Sequence, residues 1–489
     1  MNQNPERVGI QDAERLTALS PESDVRQIKK DTRYTAPFEE FYRRYSSPIK
    51  DFIQKQTFGG GVLLFCVITA MILANSDFSD DYAHLLHLPI GIKLSSFVLE
   101  TSLQHFINDG LMTLFFLLVG LEIKREILVG ELSSLRKALL PIVAALGGVI
   151  MPALIYFSLN PTGEATRGWA IPMATDIAFA VALLFLLGNR IPSSVMTFLL
   201  ALAIVDDLVA VVIISIFYTE TIVLTNLFAG LGLLGAMWLM NLLGIRKLWA
   251  YAIFSFGVWV CFLGSGVHAT VAGVLSAFMI PARPKCNPMK FVEDLRFLLA
   301  ELASQHNEDK WILASKEQTQ IVEQIDKSAS AVSSPLSRLE HSIQMPVNLL
   351  VVPIFAIANA GVMIALDQLA DALANPITLG VLLGLAIGKP LGIFSATWLA
   401  TTLRFADLPE EATFKHIFGV GILGGIGFTM SIFIAELAFK ANDAAIASVK
   451  IGILFASLLS GIIGTLFLLL MSKPSVHNAA EDVPMSSAS

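Results

Sequence analysis

Charge is scarce in this chain, and cysteine is scarcer. Asp, Glu, Lys and Arg make up 15% of the 489 residues while 55% are hydrophobic. With a mean hydropathy of +0.68, an ordinary soluble globular fold is excluded. The three cysteines, Cys66, Cys261 and Cys286, are odd in number and unclustered, which argues against a disulfide framework and against a cysteine metal site. A basic excess is missing as well: the net charge is −7, so no nucleic-acid partner is expected. Residues 1–57 are polar and mixed in charge, without the apolar core of a secretory signal. They are expected to stay with the mature protein as a cytoplasmic extension. Nor is there the alternating pattern of an outer-membrane barrel. The apolar residues run on for spanning lengths, so the fold expected is an all-α polytopic membrane protein.

Twelve transmembrane helices are expected within a domain covering 58–472. The first three lie at about Phe58–Asn75, Phe106–Glu122 and Leu139–Leu159, and the fourth and fifth share Trp169–Tyr218, divided at Gly188–Pro192. The sixth to eighth are placed at about Ile222–Leu243, Trp249–Leu263 and Gly266–Ile280, and the ninth to twelfth at about Pro346–Ala365, Ile377–Leu399, Ile417–Phe439 and Ala445–Met471. The linker after the first span, with Pro89-Ile90-Gly91 at its centre, suits a small hairpin. The polar stretch 282–345 is long for a loop and suggests a helical excursion or disorder, and the tail 473–489 reads as disordered. Lys and Arg collect in alternate loops, at Lys124, Arg125, Arg136, Lys137, Arg190, Arg246, Lys247, Arg283, Lys285, Lys290, Arg404, Lys415 and Lys473. The other loops hold little beyond Lys93, Arg167, Lys440 and Lys450. The positive-inside rule therefore puts both termini in the cytoplasm.

Against this background the intramembrane charges stand out. The fifth span carries the adjacent pair Asp206–Asp207 near its middle, and the fourth carries Asp176. An aspartate at bilayer depth costs about 2.5–3.5 kcal/mol on insertion scales and marks a functional candidate. Two in succession point about 100° apart on a helix, so they can flank a cavity and titrate as a coupled unit. A hard cation such as Na⁺ prefers oxygen ligands. Cation and protons would compete for the same carboxylates, and a site exposed to one face and then the other is an exchanger. Pro172, four residues before Asp176, predicts a break in the fourth span. The glycine run Gly419–Thr429 marks a matching weakness in the eleventh. Interrupted spans in corresponding positions suggest inverted repeats, the third to fifth spans answering the tenth to twelfth. Lys389 in the tenth span needs a buried partner, with Asp206, Asp207 or Asp176 able to supply it. His268 lies near the external end of the eighth span. Asp109 and the charged run Glu122–Glu126 mark the two ends of the second.

The stretches NDGLMTLFFLLVGLEIKRE, GWAIPMATDIAFA, FLLALAIVDDLVA, SGVHATVAGV, FAIANAGV, GKPLG and VGILGGIGFTMSIFIA, in that order over most of 58–472, resemble the NhaA-type Na⁺/H⁺ antiporter family of bacteria. The resemblance implies an inner-membrane protein that expels Na⁺ or Li⁺ for a larger number of protons, with no cofactor, and often a homodimer joined through the hairpin after the first span. Asp207 would match the principal Na⁺ ligand, and Asp206 its partner, paired with Lys389. Thr175 and Asp176 would match the polar groups where two broken helices cross. Glu122, Arg125, His268, Glu340 and His341 are candidates for pH response. The chain departs from the family pattern in its longer N-terminal arm and in an insertion between the eighth and ninth spans. A second histidine expected after His341 falls at Gln344. An intramembrane aspartyl protease would need a Tyr-Asp and a Gly-x-Gly-Asp in separate spans, a pattern this chain lacks. A proton-coupled carrier of an organic solute and a passive channel are competing readings of the same charges. A Na⁺-dependent pH response of vesicles, lost on Asp207→Asn, would separate the exchanger from both.

Overall fold

The computed structural model describes residues 56–471 apart from 95–96, 220, 305–315, 364–368 and 441. The expected tail 473–489 and all but the last two residues of the expected 1–57 extension lie outside the described residues. Helices occupy each of the twelve expected places. After α1 (Gln56–Ala74) the chain bends by 114° into α2 (Ser79–Leu86). The expected hairpin then follows as two antiparallel strands, β1 (Pro89–Leu94) and β2 (Phe97–Ser102), in register from Pro89↔Ser102 to Leu94↔Phe97. Next come α3 (Leu103–Val129), α4 (Leu135–Leu159), a 3-10 helix Glu164–Met173 leading to α5 (Ile177–Leu186), and α6 (Ser193–Phe217). The helices α7 (Leu224–Leu242), α8 (Leu248–Leu263) and α9 (Ala269–Met279) complete the first two thirds.

The expected loop contains two amphipathic helices, α10 (Pro288–Ser304) and α11 (Lys316–Val332), closed at their base where the Lys285 and Cys286 amides both donate to the Ala331 carbonyl. The remainder is α12 (Pro335–Asn359), α13 (Leu369–Ala374), α14 (Pro376–Thr402), α15 (Phe414–Gly424), α16 (Phe428–Ala438) and α17 (Asp443–Met471). Among the described residues, eight helices are long and apolar enough to cross a membrane, α15 and α16 do so as a pair bent by 47°, and α8 and α9 are shorter apolar helices.

Two boundaries differ from the sequence expectation. The ninth span begins at Pro335, not Pro346, because Ser334 caps it by accepting the Ser337 amide and Pro335 fits the first turn. The last part of the stretch 282–345, including Glu340 and His341, is therefore helix. The second span runs on to Val129, so the Glu122–Glu126 run lies on the helix and does not end it. There Lys124 reaches across to the carbonyls of Phe278 and Ile280, at the C-terminal end of α9. Finally, the long helices carry π turns at Ile107–Leu111, Val347–Val351 and Gly384–Gly388.

Large apolar side chains such as Phe228, Trp238 and Leu242 on α7 face outward, as lipid-facing positions do. Inward, Phe116, Phe355 and Phe433 pack ring against ring. α4 and α14 touch through Gly147 and Gly392, where a Cβ on either would collide with the carbonyl oxygen of the other. Close backbone contact of this kind is how membrane helices associate without a hydrophobic driving force.

Candidate functional site

The backbone leaves helical geometry at Ala174–Asp176, between the 3-10 helix and α5, and at Gly425–Gly427, between α15 and α16. The two interruptions meet. The Asp176 amide donates to the Ile426 carbonyl at 2.6 Å, and the Thr175 hydroxyl to the Gly424 carbonyl at 2.9 Å. Asp176 caps α5 by accepting the Phe179 amide at 3.1 Å. Its other oxygen accepts both the Thr429 amide (3.1 Å) and the Thr429 hydroxyl (2.6 Å) from the start of α16. Two helix N-termini thus converge on one carboxylate, the arrangement that helix dipoles favour. The carbonyls at the C-terminal ends receive hydroxyl or ammonium donors. Gly427 has to be glycine, since a Cβ there would press on Ser431 Oγ and on the Ala174 carbonyl.

Asp206 and Asp207, on α6, are 2% and 1% exposed, and Lys389 is 1% exposed. Lys389 Nζ donates to Asp206 Oδ2 at 2.7 Å and to the Met173 carbonyl, where the 3-10 segment ends. Of the three carboxylates that could have paired with it, Asp206 is the one that does. Asp207 differs from both its neighbours: neither of its carboxylate oxygens has a hydrogen-bond partner. The charges that act on it are Asp206, Asp176, Glu122 and Lys389. A buried carboxylate with no donor is costly unless it carries a proton or a cation. Thr175, Asp176, Asp206, Asp207 and Lys389 therefore form one buried cluster.

The other candidates lie elsewhere. Arg125 on α3 pairs with Glu340 on α12 at 3.0 Å and with Glu126 at 3.3 Å. Arg125, Glu340 and His341 line a polar cavity of about 710 Å³ together with Arg338 and Gln344. Glu122 is subject to the charges of Glu340, Arg125 and Glu126 and also acts on Asp207, so it is the charge the two clusters share. His268 belongs to neither. It sits at the start of α9 with Nδ1 4.0 Å from Asp109, whose other oxygen meets His105 at 3.0 Å, and its ring packs on Phe433.

Sequence reasoning missed Thr429, the Met173 carbonyl and the Asn108–Asn359 pair, joined at 2.7 Å beside Asp109. Thr429, two residues beyond the last glycine of its run, carries no signal of its own in the sequence. Among the described residues, no cluster of three or more His, Cys, Asp or Glu is placed to hold a resident metal ion.

The sequence profile described as Na⁺/H⁺ antiporter 1 matches residues 50–468. The chain is 47% identical over 439 residues to the Na(+)/H(+) antiporter NhaA of Sulfurimonas denitrificans, covering 90% of this chain and 98% of that one. It is 45% identical over 450 residues to the Na(+)/H(+) antiporter NhaA 1 of Saccharophagus degradans (92% and 97% covered). With the Na(+)/H(+) antiporter NhaA of Helicobacter pylori it shares 44% identity over 431 residues (88% and 96% covered).

Proposed function

The chain belongs to the Na⁺/H⁺ antiporter 1 family, and from this premise we infer that it is a sodium–proton antiporter of a bacterial inner membrane, with Asp206 and Asp207 as its transport site. One observation carries the assignment of the site: Asp207 is buried with both oxygens unpartnered. That state suits a group which exchanges a proton for a cation, because either guest supplies what the protein does not.

In the cycle we propose, alkalinity on the cytoplasmic side strips the Asp206/Asp207 unit of its protons. Na⁺ or Li⁺ then binds the carboxylate oxygens, the polar groups Thr175 and Asp176 hold the crossing of the two interrupted spans in place, and Lys389 balances Asp206. One helix bundle rocks against the other, and reprotonation outside releases the cation. The full reading is twelve spans in inverted repeats with two broken helices, both termini cytoplasmic, electrogenic exchange with protons in excess, and no cofactor. Its partners are the lipid bilayer and a second copy docked through the β1–β2 hairpin. Glu122, Arg125, Glu340, His341 and His268 are the proposed pH-response groups. In the domain arrangement we propose, a transmembrane unit over 58–472 carries a cytoplasmic insertion, a cytoplasmic N-terminal extension and a C-terminal tail.

The test uses everted vesicles from a host without antiporters of its own, energised to an acid lumen and loaded with a pH-reporting dye. Adding Na⁺ at alkaline pH should drive proton efflux from wild-type vesicles, and Asp207→Asn should abolish it. No response to Na⁺, Li⁺ or K⁺ in correctly inserted protein would overturn the reading.

A further inference from the structure

The crossing of the two interrupted spans is held from behind by α17. This helix packs on the π turn of α14, on α15 and α16, and on α5, and it presents two serines there. Ser457 Oγ accepts the amide of Phe428 at 3.3 Å. Phe428 opens α16, and an amide in the first turn of a helix has no partner within that helix. The next amide, Thr429, is the one that holds Asp176. Ser460 lies about one turn further along α17, is 2% exposed, and its hydroxyl has no hydrogen-bond partner.

Ser460 faces Gly425. A Cβ built there would lie 2.6 Å from Ser460 Oγ, 2.6 Å from the Leu385 carbonyl oxygen and 3.1 Å from that of Ile422. The Leu385 carbonyl has lost its helical donors: the Lys389 amide goes to Gly384, and Pro390, five residues on, has no N–H. Three oxygens from three spans thus close on one point beside the interruption. The closeness leaves Gly425 no room for a side chain, so the end of α15 and the π turn of α14 meet there backbone to backbone.

We propose that Ser457 is a positioning residue for the cation site. Ser457 fixes the start of α16, and with it the two Thr429 donors on Asp176. The inference rests on the transport reading of Asp206 and Asp207 given above.

The test separates apparent affinity from turnover. In the vesicle assay, Ser457→Ala should raise the half-saturating Na⁺ concentration about three- to tenfold, as loss of one hydrogen bond does, with maximal rate little changed. Ser457→Thr keeps the hydroxyl and should restore the wild-type value. Ser395→Ala, whose hydroxyl bonds only within α14, should move neither quantity. In purified Ser457→Ala, hydrogen exchange at the Phe428 and Thr429 amides should quicken. Wild-type half-saturation in Ser457→Ala, with maximal rate and Tm falling together, would reduce the serine to packing and overturn the proposal. A wild type that exchanges no Na⁺ would sink the transport reading instead, and the amide measurement would then still decide whether Ser457 holds α16.

Discussion

Lys389 and Asp206 compensate each other's charge at a depth where neither could stand alone. Removing one side of a buried ion pair costs about 3–5 kcal/mol, because the other charge is left unpaired, whereas replacing both partners with neutral groups can be nearly free. Lys389→Ala should therefore lower the melting temperature sharply, and Asp206→Asn combined with Lys389→Gln should recover most of the loss. Thermal unfolding of the purified variants would check this, and equal melting of the single and double variants would contradict it. Asp176 depends on a smaller contact. Thr429→Ala removes the hydroxyl donor at 2.6 Å and should cost about 1.5–3 kcal/mol, the range for a hydrogen bond to a charged group, while Thr429→Ser should cost little. The charged members of this cluster were legible in the sequence because an Asp or Lys in a spanning run is an anomaly on sight. Thr429, Ser457 and Ser460 were not. A hydroxyl can bond back to its own helix, so a Thr or Ser in an apolar run raises no question until the fold shows what it faces.

At the scale of elements, the same contrast separates breaks from bulges. Pro172 announced the interruption at Ala174–Asp176, and the glycines of 419–427 announced the one at Gly425–Gly427. The π turn at Gly384–Gly388 was readable only in part: Pro390 removes a donor from the helix, but the sequence does not say whether the chain answers with a kink or a bulge. The sequence places the ninth span from about Pro346, whereas α12 already starts at Pro335, where Ser334 supplies the cap. Glycine also has two meanings in these helices, which can be tested against each other. Gly235 lies inside α7 with nothing within 4 Å of a prospective Cβ, so Gly235→Ala should stabilise the protein by about 0.4–1 kcal/mol through the unfolded chain and helix propensity. Gly147→Leu would force α4 off α14 and should prevent folding, seen as loss of inserted protein. A tolerated Gly147→Leu would mean that the α4–α14 contact is not essential.

For the whole molecule, the question is what the α10–α11 hairpin, whose described residues pack chiefly on each other, does to an exchanger. Its base is already closed by the two bonds to the Ala331 carbonyl, at 2.8 and 3.1 Å, so joining Cys286 to Ala331 would excise it with little strain on α9 or α12. Residues 287–330 hold eight acids (Glu293, Asp294, Glu301, Glu308, Asp309, Glu317, Glu323 and Asp326) against five bases (Lys290, Arg296, Lys310, Lys316 and Lys327). The segment is thus net negative, and its Ser330 carbonyl accepts from Arg338 at 3.5 Å, a side chain that lines the cavity with Arg125, Glu340 and His341. A negative surface concentrates protons, so groups in that cavity experience a pH below that of the bulk. They reach a given degree of deprotonation only at higher bulk pH. Excision removes this excess, and the rise of exchange activity with alkalinity should move to lower pH, by a few tenths of a unit at low salt and less at about 0.15 M, where screening acts over about 8 Å. Maximal exchange should survive, because Asp206, Asp207, Asp176 and Lys389 keep all their contacts. Proton efflux measured in vesicles from about pH 6.5 to 9, at two salt concentrations, would show the shift. A profile unmoved at low salt would mean that the hairpin does not tune the cavity through its charge.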